Sequence, residues 1–230
     1  MTAIGPMHRG VGEAAGRSGQ TGSSGLEGLP QSFLTALGDL RRASPRRQAV
    51  VEETPAPSKL APYAVALRAE VRDPAAASLE GHPVPRLRPS PQQDEMLATG
   101  RFILLHDPEG QEAWGGTFRV VIYIKAELDP EMGNDPLLAS VAWTWLSDSL
   151  ALHGVEHSRA GGTATRILSE SFGSLEDRQA SNDVELRASW TPTGSRFDAH
   201  LEAWADMVCS FAGLPPLPDG VVALPHVRRS

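Results

Sequence analysis

The run from Gly100 to Leu146, GRFILLHDPEGQEAWGGTFRVVIYIKAELDPEMGNDPLLASVAWTWL, constrains the fold more than any other part of the chain. Phe102 to His106 reads as a strand. Asp107-Pro108-Glu109-Gly110 has the residue order of a type I turn: aspartate caps it, proline sets the second dihedral and glycine takes the last position. Thr117 to Lys125 is a second strand, with Phe118, Val120, Ile122 and Ile124 on a buried face and Arg119, Tyr123 and Lys125 on the other. Asp135-Pro136 then supplies a side-chain cap and a first-turn proline for a helix that Gly154 ends. Leu138, Val141, Ala142, Trp145, Leu146 and Leu152 are its expected buried stripe. The whole run contains no nucleophile–base pair, no metal-ligand spacing and no phosphate loop, which directs the reading toward a binding or assembly domain.

Similar units flank this run. Phe33, Leu34, Leu37 and Leu40 fall at helical spacing, with Arg41 and Arg42 suited to the helix's negative end and Pro45 as a stop. Tyr63 to Arg72 alternates as a half-buried strand. Thr163 to Phe172 and the segment around Val184, Leu186, Ala188 and Trp190 read as two more strands. Ser195, with Asp198 three places on, has the form of a capping box before a helix striped by Phe197, Leu201, Trp204, Val208 and Phe211. Gly213 and Pro215-Pro216 end it. The expected order is α-β-β-β-α-β-β-α: an α+β fold in two layers, a five-stranded antiparallel sheet with helices on one face. Residues 1–28, rich in Gly and Ser, read as a disordered tail. Residues 29–215 read as one domain, interrupted at 73–99 by a proline-rich insertion too long for an ordinary connection. Residues 216–230 read as an extended tail.

Composition excludes some classes. A net charge of -7 argues against a general nucleic-acid binder. A single cysteine, Cys209, rules out an internal disulfide framework. No apolar run approaches the roughly 20 residues of a membrane helix, so a cytoplasmic protein without membrane contact is expected. Lys59 and Lys125 are the only lysines. The arginine bias fits either anion recognition or plain codon composition.

Six stretches together carry a resemblance: LAPYAVAL, GRFILLHDPEGQEAWGGTFRVV, AELDPEMGNDPLL, GGTATRILSESFG, ELRASWTPT and HLEAWADMVCSFAGLPPLP. They resemble the actinobacterial domain-of-unknown-function 3000 family over roughly residues 30–225, the insertion excluded. The resemblance implies no activity and no catalytic residues. Its genomic context, near ribonuclease D or haem-biosynthesis genes, points to a reading as an accessory factor in RNA turnover. The element order is also similar to the type III secretion chaperone-like fold of YbjN-type regulators, which implies a homodimer that binds other proteins.

Candidate residues are few. His153 and His157 are four apart, but Gly154 between them breaks the shared helical face that a metal needs. They read as exposed loop histidines, and no metal or cofactor is expected. Cys209 reads as a small core side chain. His106, Asp107, Glu109 and Glu112 gather near the hairpin, where turn geometry already accounts for Asp107, so no catalytic residue is assigned. In Thr163–Phe172 one face carries Arg166 and Glu170. Facing the helices, these two must be paired. Facing outward, they join Arg68, Arg119, Tyr123 and Arg187 on a polar sheet face, which either keeps the sheet solvated through cross-strand pairs or recognises an acidic ligand or partner through arginine forks. Trp143, off the main helical stripe, is read either as a contact with another element or another subunit or as simple core burial. The favoured expectation is a non-enzymatic protein-binding domain acting as an adaptor, chaperone-like factor or regulator. The runner-up is a small enzyme or metabolite-binding domain that uses the same polar face.

Overall fold

Alternating and helically spaced apolar residues bury themselves where their periods allow, and the computed structural model shows the result for residues 28–72, 96–128, 135–177 and 180–214. The elements are α1 (Gln31–Arg42), β1 (Ala49–Thr54), β2 (Tyr63–Arg72), β3 (Met96–Gln111), β4 (Gly116–Leu128), α2 (Leu138–Leu152), β5 (His157–Ser169), a 3-10 turn at Gly173–Leu175, β6 (Ser181–Pro192) and α3 (Phe197–Phe211). The strands form one six-stranded sheet in the order β1-β2-β3-β4-β6-β5. Every neighbouring pair is antiparallel. The α+β class, the antiparallel sheet and the helices on one face are as expected. Among the described residues, no helix is long and apolar enough to cross a membrane.

The core lies between the sheet and α3. On the helix-facing side Phe102, Leu104, Val120, Ile122, Ile124, Leu186 and Trp190 are buried, each contributing about 1.5–3 kcal/mol through lost water contact. α3 is buried on most of its circumference, His200, Met207 and Cys209 included, because it sits on the sheet while α1 and α2 pack against it. Its stripe of Phe197, Leu201, Trp204, Val208 and Phe211 is buried as expected. Gly100 of β3 lets α3 approach: a Cβ there would lie 2.6 Å from Val208 Cγ2 and 2.8 Å from Trp204 Cζ2. α2 buries Leu138, Ala142, Leu146 and Leu150, a four-residue repeat, while Val141 and Trp145 are half-buried and Leu152 is exposed.

Several expectations need correction. The sheet has six strands, not five, because Ala49–Thr54 pairs with β2 along its edge. Only Ala49 of that strand is buried, so no alternation announced it. Asp107-Pro108-Glu109-Gly110 is not the hairpin tip. It forms an irregularity inside β3, where the register passes from His106↔Phe118 to Gln111↔Gly116. Asp107 does cap it, accepting the Glu109 N–H at 3.1 Å, and Gly110 takes a φ of 75°. The reversal falls instead at residues 112–115, where Gly115 has a φ of 66° and donates to the Gln111 carbonyl at 2.9 Å.

Met96 to Thr99, placed in the insertion, belong to β3. β5 begins at His157 and stops at Ser169, so Glu170 and Phe172 lie beyond it. Ser195 makes no capping bond, and Arg196 takes the N-cap position. Asp135 does cap the turn that leads into α2, accepting the Leu137 N–H at 2.8 Å. The tails expected at 1–28 and 216–230 lie outside the described residues apart from Gly28, as does 73–95 of the insertion.

Candidate functional site

Strand register decides which side chains share the face opposite the helices. One row across the sheet reads Glu52, Arg68, Arg101, Tyr123, Arg187 and Thr163. The adjacent row reads Thr54, Ala66, Ile103, Val121, Ser189 and Gly161. Beyond it lie Ala64, Leu105 and Arg119. The middle row is apolar at its centre: Ala66 is buried, and Ile103 and Val121 are half-buried. A band of small and branched apolar side chains thus runs between two arginine-bearing rows. Arg119 and Tyr123 are four residues apart on one strand, which sets the rows bounding the band roughly 13 Å apart.

Much of the charge on this face is neutralised internally. Arg68 donates to Glu52 at 2.7 Å and to Glu70 at 3.0 Å, and Arg72 reaches Glu70 at 3.2 Å. Lys125 pairs with Asp183 at 3.0 Å. Tyr123 donates its hydroxyl to Glu185 at 2.8 Å, and Arg187 donates to the same carboxylate at 2.9 Å. The Arg187 guanidinium also lies 5.5 Å from the centre of the Tyr123 ring. Burial, and then the contact with Glu185, raises the Tyr123 phenol above its ordinary pKa. These partly exposed pairs neutralise charge on the face and add little stability each.

Three arginines are held differently. Arg119 donates to Ser189 Oγ at 2.7 Å, and to Thr191 Oγ1 and the Arg159 carbonyl at 3.0 Å each. Arg159 donates to the Glu112 carbonyl at 3.1 Å, and Arg101 to the Pro55 carbonyl at 2.8 Å. All these acceptors are neutral, and none of the three has a carboxylate partner among the described residues. Burial, and then the neighbouring Arg159 charge, lowers the Arg119 pKa. Arg159 sits in the bulge of β5, where the register slips between Ser158 and Gly161, and takes a φ of 50°. Its side chain lies against Gly115, where a Cβ would collide with the guanidinium. With Thr191 Oγ1 donating to the Trp114 carbonyl at 2.6 Å, it ties the hairpin tip to β5 and β6.

Of the expected face, Arg68, Arg119, Tyr123 and Arg187 come together. The β5 register places Arg166 opposite Val184, on the helix side, where it is exposed and donates to the Asp135 carbonyl at 2.9 Å. Glu170 is exposed past the strand end. Trp143 is half-buried, its ring lying over Gly162 of β5. Sequence reasoning missed Arg101 and Arg159. Arg101 directly precedes the strand as read, so its alternation with Ile103 was available. Arg159 was hidden because β5 starts six residues before Thr163.

The other titratable groups lie elsewhere. His106 is buried between Ser32 Oγ at 2.9 Å and the Thr117 carbonyl at 3.0 Å, with its ring stacked 4.1 Å from Phe118. His200 accepts from Trp190 Nε1 at 2.9 Å, and burial pushes its pKa down to about 4. His153 is not an exposed loop residue: it bonds Asp206 at 2.8 Å, with Glu202 3.7 Å away. Burial raises the Cys209 thiol to about 11, consistent with an inert core side chain. Among the described residues, no group of three His, Cys, Asp or Glu side chains could hold a metal ion. A shallow depression of about 210 Å³ lies at one end of the face, between Leu97, Thr99, Lys125, Glu127 and Asp183.

Residues 29–222 match the family described as "Protein of unknown function (DUF3000)". The chain belongs to the DUF3000 family. No curated protein and no solved structure matches it.

Proposed function

We propose that this DUF3000 domain is a non-enzymatic protein-binding module, an adaptor or chaperone-like factor of the cytoplasm. Its open sheet face takes an extended partner segment that carries apolar residues flanked by Asp or Glu. One observation carries the reading. Among the described residues Arg101, Arg119 and Arg159 bond only neutral acceptors. Arg101 and Arg119 stand in the rows that border an apolar band centred on Ile103 and Val121, and Arg159 lies next to Arg119 toward the hairpin tip. Each guanidinium keeps donor capacity for a carboxylate, and bidentate pairing at such a site is both strong and directional. The band supplies the apolar contact that converts charge attraction into a specific fit.

The test is a titration of the full chain with a fluorescent peptide of alternating aliphatic and acidic residues. A peptide of identical composition but scrambled order serves as control. The alternating peptide is expected to bind better, more weakly as salt rises. Replacing Arg119 and Arg159 together by Gln is expected to cost at least about tenfold in affinity, the scale of a lost charged hydrogen bond. Equal binding of both peptides, or indifference to the double replacement, contradicts the proposal.

A further inference from the structure

The two edges of the sheet are unlike. β1 spans six residues, and Glu52 and Glu53 guard it with charge. β5 spans thirteen, and its regular stretch Gly161–Ser169 has one charged side chain, Arg166. Nearly every residue of that stretch is exposed. Strand edges that are long and nearly uncharged are templates for another strand, and proteins usually blunt them. We propose that the β5 edge pairs antiparallel with the same edge of a second copy, about a two-fold axis at Thr165, joining the two sheets into one.

The stretch is complementary to itself in that register. On the open face Thr165 meets the second copy's Thr165, and Thr163 meets the second copy's Ile167, pairs that favour strand association. On the helix side Arg166 lies directly opposite the second copy's Ala164. The second copy's Arg166 falls on the diagonal, and each guanidinium is held by its own chain's Asp135 carbonyl. Leu168 meets the second copy's Gly162. That glycine has Trp143 over it, close enough that a Cβ would stand 3.0 Å from the ring. Leu168 is 59 % exposed in the single chain, and Trp143 is half-buried. Pairing closes each over the other, which accounts for an apolar side chain left in water and for a tryptophan off its helix's buried stripe. The interface is isologous, the commonest closed arrangement. It uses the sheet's edge and leaves the open face free, so it stands or falls separately from the peptide-binding reading.

The experiment is sedimentation equilibrium and light scattering on the full chain, with two variants whose folding is checked by circular dichroism. Wild type is expected to dimerise. Leu168→Asp, at an exposed position, is expected to raise the dimer dissociation constant at least about tenfold with no change in melting of the monomer. Thr165→Cys is expected to give a disulfide-linked dimer on mild oxidation, an unambiguous signal because the sole native cysteine, Cys209, is buried. A wild-type chain that stays monomeric at every concentration, a dimer indifferent to Leu168→Asp, or a Thr165→Cys chain that does not crosslink overturns the proposal.

Discussion

Replacing Gly100 by Ala sets two physical effects against each other. Gly100 lies in a strand without a positive φ, so backbone propensity alone predicts that alanine stabilises by about 0.5–1 kcal/mol. Packing predicts the opposite. The new methyl would stand 2.6 Å from Val208 Cγ2 and 2.8 Å from Trp204 Cζ2, whereas carbon atoms rest at about 3.5–4.0 Å. Both neighbours are fully buried, so α3 must lift by about 1 Å or a side chain must leave its rotamer. Overpacking of this kind costs about 1–3 kcal/mol. Subtracting the backbone gain leaves a net loss of at most about 2.5 kcal/mol, centred near ~1 kcal/mol, or roughly 2–4 °C in melting temperature for a domain of this size. Val208→Ala removes the nearer clash. The double variant should therefore be more stable than the sum of the singles predicts, by at least about 0.5 kcal/mol. Urea denaturation of the four proteins provides the cycle. A Gly100→Ala chain more stable than wild type, or strictly additive effects, refutes the close helix–sheet approach.

Two histidines give opposite pH signatures. His200 has its pKa lowered from 6.5 to about 4, so its contribution is complete above pH 6.5 and is lost as pH falls toward 4, roughly 3 kcal/mol in all. His200→Gln should flatten the acid limb of a plot of stability against pH, and an unchanged limb contradicts the buried neutral imidazole. His153 has its pKa raised above 6.5, first by the hydrogen bond it donates to Asp206, with the Asp206 and Glu202 charges adding to the rise and burial and Arg196 opposing it. Its contribution is complete below pH 6.5 and fades as pH rises through the folded value. An NMR titration should place the His153 midpoint above 6.5, and a midpoint at or below it refutes the Asp206 contact.

The legible parts of this fold are those where one face is buried and the other is wet. β2, β4 and β6 alternate in sequence, and their buried faces follow. α3 was legible because its apolar stripe is continuous. β1 was not, since an edge strand with one buried residue has no period to read. The Asp-Pro-Glu-Gly segment misled for a different reason: its local geometry is turn-like in the folded chain as well. A bulge inside a strand and a hairpin tip use the same dihedrals, and only the partner strand tells them apart. Arg68, Arg119, Tyr123 and Arg187 were placed together by period alone. Arg166 was ambiguous because both faces of β5 mix polar and apolar residues, as an edge strand permits.

Methyl NMR tests the central claim, that the open face binds a segment, most directly. Ile103 and Val121 carry methyl groups on that face, while Ile122 and Ile124 are buried beneath the helices. Adding the alternating acidic peptide should move the Ile103 and Val121 resonances together along one binding curve, with Ile122 and Ile124 nearly still. Shifts confined to Leu168 at the β5 edge or to the helix side, with Ile103 and Val121 unmoved, would contradict the account.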